Sequence, residues 1–221
     1  MNTTFLFDFA AKAIYIALAA LALFGMFQVI LLIRKIAQKQ FSSKSQLADF
    51  REQTLELLEE ERDDELIELC DSPGIWAKAL PQMILKALEL KTERPKRKLG
   101  PLLAEAFERD VVADLINGAS WIGTCVKSAP MLGLLGTVAG MIQAFGKIAD
   151  RQQSGGDPSA LAEEISFALL TTALGLTIAI PLVIASAIVT IKINKLTDHV
   201  QAELGPVVDS LDSRSRRRRS R

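Results

Sequence analysis

The chain has 221 residues, with 26 basic side chains, 26 acidic ones and a formal net charge of zero. Hydrophobic residues make up 49% of it and gather into long apolar stretches that alternate with densely charged ones. That segregation argues against a soluble globular domain, which mixes the two at short period. Two cysteines without a CxxC likewise argue against a disulfide framework or a metal site.

Residues 1–12 precede the first apolar stretch, which runs from Ala13 to Ile33 without Asp, Glu, Lys, Arg or His. A bilayer crossing needs roughly 20 apolar residues, so 13–33 is read as a first transmembrane helix. A cleaved signal peptide is the lesser reading: a basic n-region is missing, and Arg34 and Lys35 follow directly as a stop-transfer flank.

Residues 34–127 form a large charged region with helical periodicity, its leucines (Leu55, Leu58, Leu66, Leu69) set among charges. Asp49 to Asp71 is strongly acidic, and Lys86 to Lys98 is net basic. These are solvated faces of amphipathic helices, or stretches through which neighbouring subunits meet. Pro73-Gly74, Pro81, Pro95 and Gly100-Pro101 mark breaks. A helix from about Leu102 is expected to pass through Trp121, at interfacial depth, into the second span. Phe41 and Phe50 read as packing residues.

The second span is 128–146 and the third 165–191, joined by a turn over 147–164 with Gly155, Gly156 and Pro158. In the second, Gly133, Gly136, Thr137, Gly140 and Ala144 share one helical face; in the third, Ala168, Thr171, Thr172, Gly175 and Ala179 repeat the spacing. Small stripes permit close helix packing, as at Gly136 and Gly140. They also leave room for a lumen, with threonine hydroxyls offering hydrogen bonds to water or to a guest side chain. Both readings stay open on spacing alone. Candidate ion-path residues are Thr137, Thr171 and Thr172; candidate close-packing residues are Gly133, Gly136, Gly140 and Gly175. Pro130 and Pro181 are candidate kinks.

The tail is 192–221, and its end, Arg214 to Arg221, carries six arginines and reads as disordered. It is a passive, orientation-setting tail or a ligand for anionic lipid headgroups, with nucleic acid not expected as a partner. His199 just past the third span reads as a surface residue. Basic residues after the first and third spans place 34–127 and 192–221 in the cytoplasm, and residues 1–12 and the turn in the periplasm. The fold class is therefore all-α: an integral membrane protein with three transmembrane helices, and long helices extending into the cytoplasm. Neither 128–146 nor 165–191 contains an ionisable side chain, although a proton relay normally needs one within the membrane. A titrating group would have to come from another polypeptide.

The run Ala129-Pro130-Met131-Leu132-Gly133-Leu134-Leu135-Gly136-Thr137-Val138-Ala139-Gly140 resembles the second-span signature of ExbB, TolQ and MotA-type proteins. Ala168-Leu169-Leu170-Thr171-Thr172-Ala173-Leu174-Gly175 resembles their third-span signature. The resemblance covers about Lys127 to Asn194. It implies a homopentamer around two single-span ExbD/TolR-like subunits, whose aspartate carries the proton past threonines at the positions of Thr137 and Thr172. It also implies a TonB-like or envelope partner, an inner-membrane location, and work driven by the proton motive force. Where relatives often carry a glutamate early in the third span this chain has Phe167, with Glu164 one turn earlier, which leaves sodium open as the coupling ion. The competing readings are a scaffold whose stripes only pack helices and a solute transporter, the latter disfavoured by three spans without inverted repeats. Neither an enzyme nor a cofactor is expected, because no nucleophile, base or metal cluster appears.

Overall fold

The structure, a computed structural model, describes the backbone of residues 3–93, 97–151 and 158–219. Side chains at 3–11, 147–151, 158–161, 163, 164, 167 and 215–219 fall outside the description, as do Pro95, Gly155 and Gly156. The described residues are mostly helical, with no strand among them: α1 (Thr3–Lys39), α2 (Lys44–Glu59), α3 (Asp63–Cys70), α4 (Ala79–Glu93), α5 (Leu99–Phe107), α6 (Ala113–Arg151) and α7 (Pro158–Arg219). A π-helical turn over Glu108–Val112 joins α5 to α6. The helix expected to run through Trp121 is thus present, with one widened turn in it. Three stretches are long and apolar enough to cross a membrane, within Lys12–Lys39, Leu99–Gly146 and Ala168–Arg214. The protein is all-α with three membrane-spanning helices.

The chain forms two compact units. The first comprises residues 1–30 and 119–188. In it Gly25 lies against Leu182 and Cys125; a methyl at position 25 would meet Leu182 Cδ1 at 2.8 Å. Phe24 and Trp121 meet edge to face at 6.1 Å, a favoured ring geometry. Large apolar side chains such as Leu23, Met131, Leu169 and Ile180 point outward. In water such a surface would be a liability, and in lipid it is the solvated face.

The second unit comprises residues 31–118 and 189–221. Ser43 caps α2 by accepting from the Ser45 N–H. Pro73-Gly74 is a break, as the sequence suggests; Gly74 has φ +92°, which an L side chain seldom adopts. Pro81 and Pro101 instead sit in the first turns of α4 and α5, where a missing N–H costs little. Leu58, Leu66, Ile84, Leu99, Leu103 and Phe107 form the centre of this core, each less than 2% to 2% exposed. Phe41 and Phe50 stack with centroids 5.3 Å apart.

The expectation of disorder from Arg214 onward is overturned as far as Arg219, where α7 ends, and Ser220 and Arg221 lie outside the described residues. Leu196, Val200, Leu204, Val207 and Leu211 recur every three or four residues and are all buried, so an apolar stripe holds this segment as helix. Ion pairs add to it. Arg214 donates to both oxygens of Asp63, at 2.8 and 3.2 Å, and its Nε lies 3.6 Å from Glu61. Lys91 donates to Asp212 at 2.8 Å. Arg214→Ala is expected to fray the end of α7 and to cost about 1 kcal/mol, because the carboxylates are half exposed. Faster amide exchange over 208–214 would show it. Arg214→Lys should restore only part of the protection, having no fork to span both oxygens.

Cys70 is fully buried in this unit, and burial pushes its thiol from an ordinary 9.0 up to about 12. The thiolate is the reactive form, so a maleimide at about pH 8 is expected to label Cys70 only after denaturation. The sign for stability follows from the same shift. The unfolded thiol ionises first, so this group's contribution is intact below pH 9 and is lost as pH rises through about 12, by at most about 1.4 kcal/mol per unit.

Candidate functional site

The two small-residue stripes meet each other. A Cβ on Gly133 would stand 2.8 Å from the Thr171 carbonyl oxygen and 2.9 Å from the Thr172 Cα. On Gly136 it would meet Thr171 Cβ at 2.7 Å, on Gly140 the Ala168 Cβ at 2.6 Å, and on Gly175 the Ala129 carbonyl oxygen at 2.6 Å. Real Cβ atoms do not come so close, so the absence of side chains at these four positions is what lets α6 and α7 approach backbone to backbone.

Thr171 sits inside this seam, 3% exposed. Its hydroxyl lies 3.0 Å from the Gly133 carbonyl oxygen across the seam and 2.7 Å from that of Ala168 in its own helix. Within the chain Thr171 packs in the seam and ties α7 to α6. The spacing put Thr171 and Thr172 on one broad face, yet adjacent helical positions diverge by about 100°, enough to send one hydroxyl into the seam and the other past it.

Thr172 behaves differently from the other threonines of these helices. Thr124, Thr137, Thr171 and Thr177 each donate to a carbonyl three or four residues back, the usual refuge of a helical hydroxyl. The carbonyl four residues behind Thr172 is that of Ala168, which Thr171 already engages. Thr172 Oγ1 is buried and has no hydrogen-bond partner among the described residues. Thr137 is half-buried, with its hydroxyl 2.7 Å from the Leu134 carbonyl oxygen. Gln143, one turn beyond Gly140 and absent from the stripe read in the sequence, also has a buried amide nitrogen without a partner among the described residues. A glutamine in an apolar helix was the signal for it. Pro130 and Pro181 lie within α6 and α7, and neither ends its helix. The side chains of Glu164 and Phe167 lie outside the described residues. No group of three or more His, Cys, Asp or Glu among the described residues is placed to hold a metal ion.

A close α6–α7 seam edged by a hydroxyl unpartnered among the described residues, within the uncharged stretches 128–146 and 165–191, defines a helical membrane protein built to present polar groups within an apolar zone. The chain belongs to the MotA/TolQ/ExbB proton channel family, whose model matches residues 75–202 and so includes the whole seam. It is 36% identical over 100 residues to a putative biopolymer transport protein ExbB homolog of Methanothermobacter thermautotrophicus, 44% of this chain and 34% of that one. It is 34% identical over 124 residues to the biopolymer transport protein ExbB of Pseudomonas putida, 54% of this chain and 37% of that one. A putative ExbB-like protein 1 of Synechocystis is 37% identical over 95 residues, 41% of this chain and 36% of that protein. The matched stretches span about a third of the length of these relatives.

Proposed function

We propose that this chain is the channel and stator subunit of an inner-membrane motor that converts the proton motive force into work by a partner subunit. The observation that carries the reading is the buried, unpartnered Thr172 hydroxyl beside a seam with no charged residue. A buried polar group without a partner costs about 1–3 kcal/mol, a cost that disappears if an acidic guest from another chain fills the site. Thr137 at the edge of the same seam is the second candidate contact. A carboxyl group in such surroundings is hard to ionise, so its pKa rises and it takes up protons readily. Each proton crossing then supplies about 2.3 kcal/mol per 100 mV.

Five copies would surround a dimer of single-span ExbD/TolR-like subunits, with residues 1–12 and 147–164 in the periplasm and 34–127 and 192–221 in the cytoplasm. A TonB-like or envelope protein would receive the work. The test is reconstitution into vesicles containing a pH-sensitive dye. Proton uptake is expected only when the chain and its single-span partner are both present. Uptake by the chain alone, or none with the partner bound, counts against the reading. Assembly without any uptake favours a scaffold, and uptake that follows a sodium gradient favours the sodium-driven alternative.

A further inference from the structure

We propose that the cavity enclosed by the end of α1, the start of α2 and the middle of α7 binds the phosphate of an anionic phospholipid from the cytoplasmic leaflet. This rests on the membrane orientation proposed above, but not on the motor. The cavity measures about 310 Å³, within the range of small-ligand sites. Lys39, Lys44, Lys195 and His199 line it, and the Lys39 ammonium, which donates to Gln82 at 2.7 Å, stays cationic because that partner is a neutral amide. The one carboxylate in the lining, Glu203, has Arg51 at 3.8 Å. The cationic excess is therefore not neutralised from within. The first turn of α2, which begins at Lys44, adds the positive end of a helix dipole on the same side.

Phe41, Leu47, Leu80, Leu196 and Val200 give the cavity an apolar wall, beside the polar Gln40, Ser42 and Ser43. A cationic rim over an apolar wall fits an amphiphile better than a free anion. Depth points the same way. Along α1, Lys39 lies six residues past Ile33, and along α7, Lys195 lies four past Ile191, which at 1.5 Å per residue is about 9 and about 6 Å. The headgroup layer extends roughly 5–8 Å beyond the hydrocarbon. Lys195 falls within it, and Lys39 is just outside with a side chain long enough to reach back.

The test uses the full-length protein extracted from membranes in non-ionic detergent, with melting followed in added phosphatidylglycerol, phosphatidylcholine, inorganic phosphate or a polyglutamate peptide at matched ionic strength. Phosphatidylglycerol at about a hundredfold excess over its Kd is expected to raise Tm by roughly 5–10 °C, with phosphatidylcholine and phosphate giving little. Lys39→Gln combined with Lys195→Gln should remove at least half of that shift. Lys44→Gln alone, at an exposed position, should remove a smaller part and serves if the double variant fails to fold. Native mass spectrometry should show fewer retained phosphatidylglycerol molecules on either variant. Equal shifts with both lipids, a match by inorganic phosphate, stabilisation by polyglutamate instead, or an undiminished shift in the variants would each overturn the assignment. A chain stripped from membranes by carbonate would overturn the membrane reading itself, a result separable from all of these.

Discussion

Gly133→Leu is expected to abolish recovery of the folded protein, and Gly133→Ala to weaken it by more than an ordinary overpacked site does. Adding atoms to a packed core usually costs about 1–3 kcal/mol, because flexible side chains yield. At Gly133 the atoms in the way are the carbonyl oxygen of Thr171 and the Cα of Thr172, 2.8 and 2.9 Å from the new carbon. Neither can rotate aside. The helices must part, and parting them stretches the 3.0 Å bond from the Thr171 hydroxyl to the Gly133 carbonyl, adding about 1 kcal/mol. Gly140→Ala meets the Ala168 Cβ at 2.6 Å, and that carbon is fixed to its own backbone, so the helices must part there too and the loss should be similar. Gly123 provides the control: a Cβ there has nothing within 4 Å, and alanine improves helix propensity by up to about 1 kcal/mol. Unfolding in graded SDS–detergent micelles should rank Gly123→Ala most stable, then wild type, with Gly140→Ala and Gly133→Ala together well below it. Equal stability of the two alanine variants at 123 and 133 would refute backbone contact at the seam.

What could be read from the sequence is what local patterns encode. Three stretches without charge must be helices if they lie in lipid, since only helices satisfy their own backbone there, and α1, α6 and α7 contain them. The small stripes were legible too, because Gly133, Gly136, Gly140 and Gly175 repeat at helical spacing. A stripe states that a face is narrow, however, and not what fills it. That Thr171 fills it while Thr172 does not depends on a rotation about the helix axis which the two neighbouring residues share. The tail shows the limit differently. Six arginines from Arg214 to Arg221 make that end read as disordered by composition. The partners that fix Arg214, Asp63 and Glu61, lie some 150 positions away, beyond the reach of any local window. The acidic stretch around Asp63 was read as a solvated face or a meeting point between subunits, and at least part of it serves the chain's own last helix.

Thr171→Val and Thr172→Val, one residue apart and chemically identical, are expected to fail in opposite ways. Valine keeps the shape of threonine and removes only the hydroxyl. At 171 that deletes the hydrogen bond across the seam and leaves the buried Gly133 carbonyl without it, so stability should fall by about 1 kcal/mol. The Ala168 carbonyl becomes free to accept from Thr172, so ion flow should fall as well, in step with the disturbed seam. At 172 the deleted hydroxyl has no partner among the described residues. Its loss should leave stability unchanged or slightly raised, since an unsatisfied buried polar group is removed. Proton uptake with the partner subunit should nevertheless drop by roughly ten- to a hundredfold, because a hydrogen bond to a charged group is worth about 1.5–3 kcal/mol. Thr172→Ser, which restores the hydroxyl, should recover most of the uptake. Melting and dye-monitored uptake on the same preparations separate the outcomes. Full uptake by a stable Thr172→Val protein would mean that the unpartnered hydroxyl is not where the proton carrier docks.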